Sequence, residues 1–429
     1  MENTITGTRF LGINLAEGVR RRNLLAVIAV VFLGMFSLFL LIAIFQKFLM
    51  TRCIIPKNVI PRNVGYFMAL QNIAYFIAAP LWGRLSDKYG RRRIAVFCFM
   101  FSALVFAFVG LTQSFWEMFA AKVFMGFFIA GAVSTAMAAS ADYCQMRDRA
   151  KIMGLMGTVI GTGAVIGIPA GAILFKIHFY LPFFVQAFLY IVCAVLCIAF
   201  FKPGLASAGA MPGHGHGHPG AGGPPPQKGG NKILELLKIP KLQISYASAF
   251  LYGGGMQLSM VVFMPWGELT AGLSSKKLSI YLAISGLVFT ILVAFAGWLS
   301  QKFGNMRMIM FGLFGLCVNY LILAFVDNTA IVVWGYVLTS IFSASIYPNA
   351  LALAVNSVPP YNRGVSMGCY HSLRSIGEII FSLIIGAVMV YYGKRGGFAI
   401  PAAVAGLIGL YTLYMVMAER NQHKVVSSE

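Results

Sequence analysis

His371, Arg374 and Glu378 stand three and four residues apart in the stretch GVSMGCYHSLRSIGEIIFSLIIGAVMVYY. At about 100° per residue they share one face if that stretch is a helix. An imidazole, a fixed cation and a carboxylate on one face can take up and release a proton, with Arg374 tuning the pair or holding an anion. The competing account has Arg374 and Glu378 paired only to offset the cost of burying each charge. Lys122 is a second ionic residue deep in an apolar run. It can be a proton-coupling partner, an anion contact, or a base whose long stem snorkels to a membrane surface. His214, His216 and His218 alternate with glycine in GHGHGHPG. Imidazoles suit Zn, Cu, Ni and Fe, so this tract can collect a metal, with His371 and Glu378 as further ligands. The plainer reading is a low-complexity spacer.

The elements that must position these residues are membrane helices. Of 429 residues, 59% are hydrophobic and only 10% are charged. A soluble domain carries about a quarter charged residues. Apolar runs of about twenty residues recur along the whole chain, each long enough to cross a bilayer as a helix. Twelve are expected: 24–46, 63–83, 94–112, 115–139, 152–175, 179–201, 243–266, 278–300, 307–326, 329–355, 365–391 and 397–418. The fold class is therefore an all-α membrane protein with twelve transmembrane helices. Its organisation is a cytoplasmic N-terminus (1–23), a six-helix bundle (24–201), a Gly/Pro/His-rich linker (202–240), a second six-helix bundle (241–418) and a tail (419–429). The linker composition cannot build a packed core. The segment ILELLKIPKLQ after it reads as a short amphipathic surface helix.

The formal net charge of +21 does not imply nucleic-acid binding, because the bases sit in short connections between apolar runs. They orient the helices instead. Their distribution places both termini in the cytoplasm. The seven cysteines fall mostly inside apolar runs without metal or disulfide spacing, and read as packing residues. Gln71, Asn72 and Tyr75 in the second span, Tyr252 and Gln257 in the seventh, and Tyr347 and Asn349 in the tenth can line a cavity between helices, or simply join helix to helix.

The chain repeats itself. GRLSDKYGRRR at Gly83–Arg93 returns as GWLSQKFGNMR at Gly297–Arg307, an offset of 297 − 83 = 214. Arg149 and Arg363 keep the same offset, as do Gly154 and Gly368. Each copy of the motif reads as a tight loop between two spans. Gly83 permits close helix approach and Gly90 a tight turn. Two such halves imply a transporter with a binding site between them near the midplane.

GRLSDKYGRRR resembles the signature of the major facilitator superfamily, G-x-L-x-D-[RK]-x-G-[RK]-[RK]. Gly83, Leu85, Asp87, Lys88, Gly90, Arg91 and Arg92 all fit. The resemblance covers essentially the whole chain. It implies two pseudo-symmetric six-helix bundles that rock about a central site. It further implies that Asp87 meets the cytoplasmic start of the eleventh helix, where a helix dipole favours a carboxylate. Gly83, Asp87, Lys88, Gly90, Arg91 and Arg92 would then form a conformational latch. Gln301 replaces the acid in the second copy, so its charge network should be weaker. The family's fourth helix often has an Arg four residues before a Gly; here Lys122 precedes Gly126. Family exporters carry a glycine series ending in Gly-Pro on the fifth helix. Here Gly157, Gly161, Gly163, Gly167 and Gly171 occur, with Ile168 between Gly167 and Pro169.

No phosphate-binding loop or nucleophile constellation suggests an enzyme, and no cofactor is expected. The expected function is secondary transport of a small molecule or ion by alternating access, coupled to protons, with a monomer as the working unit in the lipid bilayer. A transition-metal or metal-chelate carrier is the alternative, with iron first, in general likeness to a superfamily branch of magnetosome membranes. A non-transporting receptor or scaffold is the alternative of another class.

Overall fold

The computed structural model describes residues 9–10, 12–42, 44–145, 148–202, 236, 238–359 and 362–426. A small hairpin pairs β1 (Arg9–Phe10) with β2 (Ile13–Asn14) around Gly12 at φ 75°. All other regular structure is helical. The first half contains α1 (Arg21–Phe39), the short α2 (Phe45–Arg52), α3 (Ile60–Tyr89), α4 (Arg91–Leu111), α5 (Phe115–Asp142), α6 (Arg149–Ile177) and α7 (Leu181–Phe200). The second half begins with α8 (Pro240–Leu258), a π-turn (Ser259–Phe263) and α9 (Met264–Leu269), which together make one span. It continues with α10 (Ser275–Phe303), α11 (Asn305–Phe325) and α12 (Thr329–Asn356). The last helical run, Arg363–Val426, breaks at Gly393 (φ 54°, ψ −148°) into α13 (363–392) and α14 (394–426). Eleven described stretches are long and apolar enough to cross a membrane, and the last of them divides at this break, giving twelve spans.

Local sequence explains where the helices start. Ser114 accepts from the Glu117 amide while Glu117 reaches back to the Ser114 amide, a reciprocal cap for α5. Asn328 accepts from the amides of Ala330 and Ile331 at the start of α12. The two motif copies are not loops. α3 runs on through Gly83, Asp87 and Lys88, and α4 begins two residues after Tyr89. Only Gly90 leaves helical geometry, at φ 94° and ψ 140°. Gly304 does the same between α10 and α11, at φ 85° and ψ 148°. The two glycines are 304 − 90 = 214 residues apart, so the repeat reaches backbone conformation. Side chains avoid this region, which makes glycine the fitting residue at each break. The expected loop shrinks because Asp, Lys and Arg end a hydropathy run without ending a helix.

Glycines also set the packing within each half. Gly163 of α6 lies against the backbone of Phe36 in α1, and Gly377 of α13 against the backbone of Phe250 in α8. Both residues of the second contact follow those of the first by 214. Gly167 and Gly171 continue the α6 stripe along Phe36, Phe39 and Leu40. The stripe is a close helix contact, because an added Cβ would strike the α1 backbone.

The halves touch at the end away from the termini. Gly386 approaches Pro61 and Arg62, and Gly65 lies against Ser382. Deeper in, Gly161 faces Thr290, and Gly286 faces Val165. Toward the terminal end the contacts stop. A Cβ added at Gly83, Gly154, Gly157 or Gly368 would meet nothing within 4 Å. Among the described residues the halves are therefore parted around these glycines, at the end that carries both motif copies.

Candidate functional site

α13 carries Arg374 and Glu378 one turn apart, near the middle of its length. Arg374 Nη1 lies 2.9 Å from Glu378 Oε1, with side-chain exposures of 28% and 13%. Arg374 Nη1 also reaches Met256 Sδ at 3.8 Å. Two glycines allow this closeness. Gly253 of α8 sits on the Arg374 carbonyl, and Gly377 on that of Phe250. The helices thus meet backbone to backbone, and the ion pair is pushed toward the space between the halves.

Aromatic rings from three helices of the second half border the pair. Tyr252 of α8 stacks on Tyr347 of α12 at 4.8 Å between centroids. Phe289 of α10 lies 6.2 Å from Tyr252 and 6.4 Å from Tyr347. The first half adds Tyr75 of α3, within reach of the charges of Arg374 and Glu378. Tyr252 is under the same two charges. Tyr75, Tyr252 and Tyr347 are thus within electrostatic range of the Arg374–Glu378 pair, from both halves. Phe289 was missed by sequence reasoning, although the repeat contains its signal: it is the counterpart of Tyr75, at 289 − 75 = 214.

Lys122 does not snorkel. Its side chain is buried at 2% exposure, with Nζ donating to Gln71 Oε1 at 3.0 Å. The ammonium also lies 3.9 Å from the Phe45 ring centroid. Among the described residues no carboxylate pairs with it. Gln71 is one turn from Tyr75 on α3, so the Lys122–Gln71 contact and Tyr75 belong to the same helix. Asn72 is half-buried, with Nδ2 lacking a hydrogen-bond partner. Gln257 is half-buried on α8. His371 is exposed one turn from Arg374, edge-on to Tyr370 at 5.5 Å.

Two expectations need correction. Asn349 does not line a cavity: it is 1% exposed, and its Nδ2 donates to Ser345 O one turn back on its own helix. Among the described residues no three of His, Cys, Asp and Glu converge, and His371 and Glu378 have no such companions. His214, His216 and His218 lie outside the described residues. Finally, the motif network does not bridge the halves. Arg91 binds Asp87 at 2.6 Å and Asp142 of α5 at 3.1 Å, and donates to Ser86 Oγ at 2.5 Å. Arg92 donates to the Ile198 carbonyl of α7. Asp87 stays 48% exposed within the first half, because α13 is not close at the parted end. Lys88 stands over the Tyr89 ring at 5.3 Å. Gly83 approaches no neighbour in this state. Nothing in the motif pointed to Asp142. In the second copy no ion pair forms among the described residues, in keeping with Gln301 at the acid's position.

The N-terminal segment was also missed. Asp148 accepts from the Asn14 amide and from Asn14 Nδ2, both at 2.8 Å, and pairs with Lys151 at 2.8 Å. Leu15 bridges Cys144, and Lys202 Nζ donates to Gly18 O. Residues 12–20 thus form a collar on the terminal end of α5, α6 and α7. Apolar Phe10, Ile13 and Leu15 around Gly12 were the available signal.

The chain is similar to proteins of known type over most of its length. The tetracycline resistance protein, class H, of Pasteurella multocida is 24% identical, over 86% of this chain and 89% of that protein. Multidrug resistance protein 2 of Bacillus subtilis (strain 168) is 24% identical, over 76% and 80% respectively. Among solved structures, a bacterial homolog of the human lysosomal transporter Spinster, in an inward-facing and occupied conformation, superposes with a TM-score of 0.74 at 15% identity, covering 94% of this chain and 98% of that one. The D-xylose-proton symporter gives 0.72 at 13% identity, covering 91% and 96%. The family model of the Major Facilitator Superfamily matches residues 24–336 and 246–429. With its repeated halves and its helical fold, the chain belongs to the Major Facilitator Superfamily and is a membrane transporter, not an enzyme.

Proposed function

We propose that the chain exports small, flat, partly apolar solutes by proton-coupled alternating access, with both termini in the cytoplasm of a bacterial inner membrane. The observation that carries this reading is the ring stack of Tyr252 and Tyr347 beside the Arg374–Glu378 pair, in the space between the halves. Stacked rings recognise flat molecules through their faces, with little demand for one hydrogen-bond pattern. The names of the relatives, tetracycline and multidrug resistance proteins, agree with such a substrate class. The parted end would then face the cytoplasm, where an exporter loads.

Glu378 is the group proposed to carry the proton. A carboxylate in a span is costly unless paired, and Arg374 supplies the pairing. Protonation would free Arg374 from its counter-charge one turn away on the same helix. Deprotonation would restore the pair. His371, exposed about two turns before Glu378 on the same helix, is proposed to pass protons toward it through water. Lys122 and Gln71 supply a hydrogen-bonded amine and amide on the opposite half, which is proposed to favour a solute with an electron-rich polar edge.

The test is efflux of a planar fluorescent dye and of tetracycline from cells that express the protein, with and without a proton uncoupler. Uncoupler-sensitive efflux that Glu378→Gln abolishes supports the reading. Efflux indifferent to the uncoupler removes proton coupling. No efflux of any flat solute removes the substrate class.

A further inference from the structure

Lys88, Arg92 and Arg93 line one groove in the side of the molecule, at the terminal end of α4 and against α7. The groove has a volume of about 810 Å³. Below the three bases its wall turns apolar, with Phe97, Met100 and Phe101 of α4 and Ile198 of α7. These four side chains are exposed, so the wall is open to whatever surrounds the helices. No acidic residue lines the groove. Arg91, the other base of this corner, is occupied by Asp87 and Asp142. Among the described residues Lys88, Arg92 and Arg93 meet no carboxylate.

Charge and depth together define the occupant. From Arg92 to Phe101 a helix rises about 14 Å. That is roughly half of a hydrocarbon core about 30 Å thick. The groove therefore offers cations at the level of lipid headgroups and an apolar wall about one leaflet deep. A soluble anion would use only the rim, and an uncharged lipid only the wall. Basic pockets between spans at the membrane surface take anionic lipid headgroups.

We propose that this groove binds an anionic phospholipid of the surrounding bilayer. Its headgroup sits among Lys88, Arg92 and Arg93, and one acyl chain lies along Phe97, Met100 and Phe101. The site is lateral, apart from the central cavity, and does not depend on which solute is carried. Because Lys88 and Arg92 belong to the repeated motif, a bound lipid would also hold the α3–α4 corner against α7.

The test is retention of lipid by the purified full-length protein, read by native mass spectrometry from equal mixtures of phosphatidylglycerol and phosphatidylcholine with identical chains. Wild type should keep phosphatidylglycerol in preference. Lys88→Gln/Arg92→Gln/Arg93→Gln should lower that retention about tenfold or more. Arg92→Lys/Arg93→Lys should keep it, which separates loss of charge from loss of fold. Met100→Trp, which fills the groove and spares every cation, should also lower it. Equal retention of both lipids by wild type would overturn the proposal. So would wild-type retention by the triple Gln variant, or displacement of the lipid by inorganic phosphate at matched concentration.

Discussion

Arg374 and Glu378 form an ion pair of 2.9 Å along one turn of α13, held between the α8 backbone and the space that separates the halves. Removing one partner leaves the other charge without its counterpart in a membrane span. That costs about 3–5 kcal/mol when a pair is well buried. Arg374→Met alone should therefore lower thermal stability in detergent more than the double variant Arg374→Met/Glu378→Met. Both should abolish uncoupler-sensitive efflux. A double variant that still pumps would reduce the pair to a purely structural role.

Lys122 presents the opposite balance. Its ammonium is buried against the Gln71 amide and the Phe45 ring, with no described carboxylate partner. Lys122→Met replaces a costly group by one of similar length, so folding yield should hold or rise. Gln71→Leu keeps the buried amine and removes its acceptor, and should destabilise by about 1–3 kcal/mol. Thermal unfolding of the two variants side by side checks the order. The reverse order would mean that Lys122 has a stronger partner than Gln71.

Much of this was legible in the sequence, for physical reasons that differ by residue. Twelve spans follow from hydropathy, and the offset of 214 reaches Gly90 and Gly304, where two backbones turn alike. Glu378 and Arg374 were visible because charge is rare in apolar runs. The motif was misjudged as a loop because polarity and helix termination are different properties. Asn349 was misplaced because polarity alone does not tell whether a side chain faces a cavity or bonds its own helix. Asp142 and Phe289 could not be singled out by type, because an acid at a helix end and a phenylalanine in a span are both ordinary. The partners of Asp87 depend on how the two halves sit at that end, which residue types alone do not encode.

Gly83 and Gly65 lie near opposite ends of α3 and should respond differently to bulk. A Cβ at Gly83 meets nothing within 4 Å, whereas one at Gly65 strikes the Ser382 carbonyl. Gly83→Leu should fold and mount in the membrane like wild type, because this state has room for it. If the proposed alternating access brings the parted ends together, its efflux should nevertheless fall to the level of empty cells. Gly65→Leu should lower the stability of the purified protein. Normal efflux by Gly83→Leu would show that α3 and α13 never close at that end.

Asp148 ties the N-terminal collar to the start of α6 and lies outside the spans. The Lys151 hydrogen bond, and next the Asn14 amide, hold its carboxyl down at about 2. Its unfolded value is about 3.9. A carboxyl held lower in the folded state stabilises above its unfolded value, and that contribution fades as pH falls through the folded value. The collar should therefore stay equally attached at pH 7 and pH 5, and loosen only below about pH 4. Hydrogen exchange at the Asn14 and Ala16 amides, corrected for intrinsic rates, measures this. Asp148→Ala should lose that protection at pH 7, while the amides of α4 keep theirs. Opening of the wild-type collar already at pH 5 would assign the attachment to some group other than Asp148.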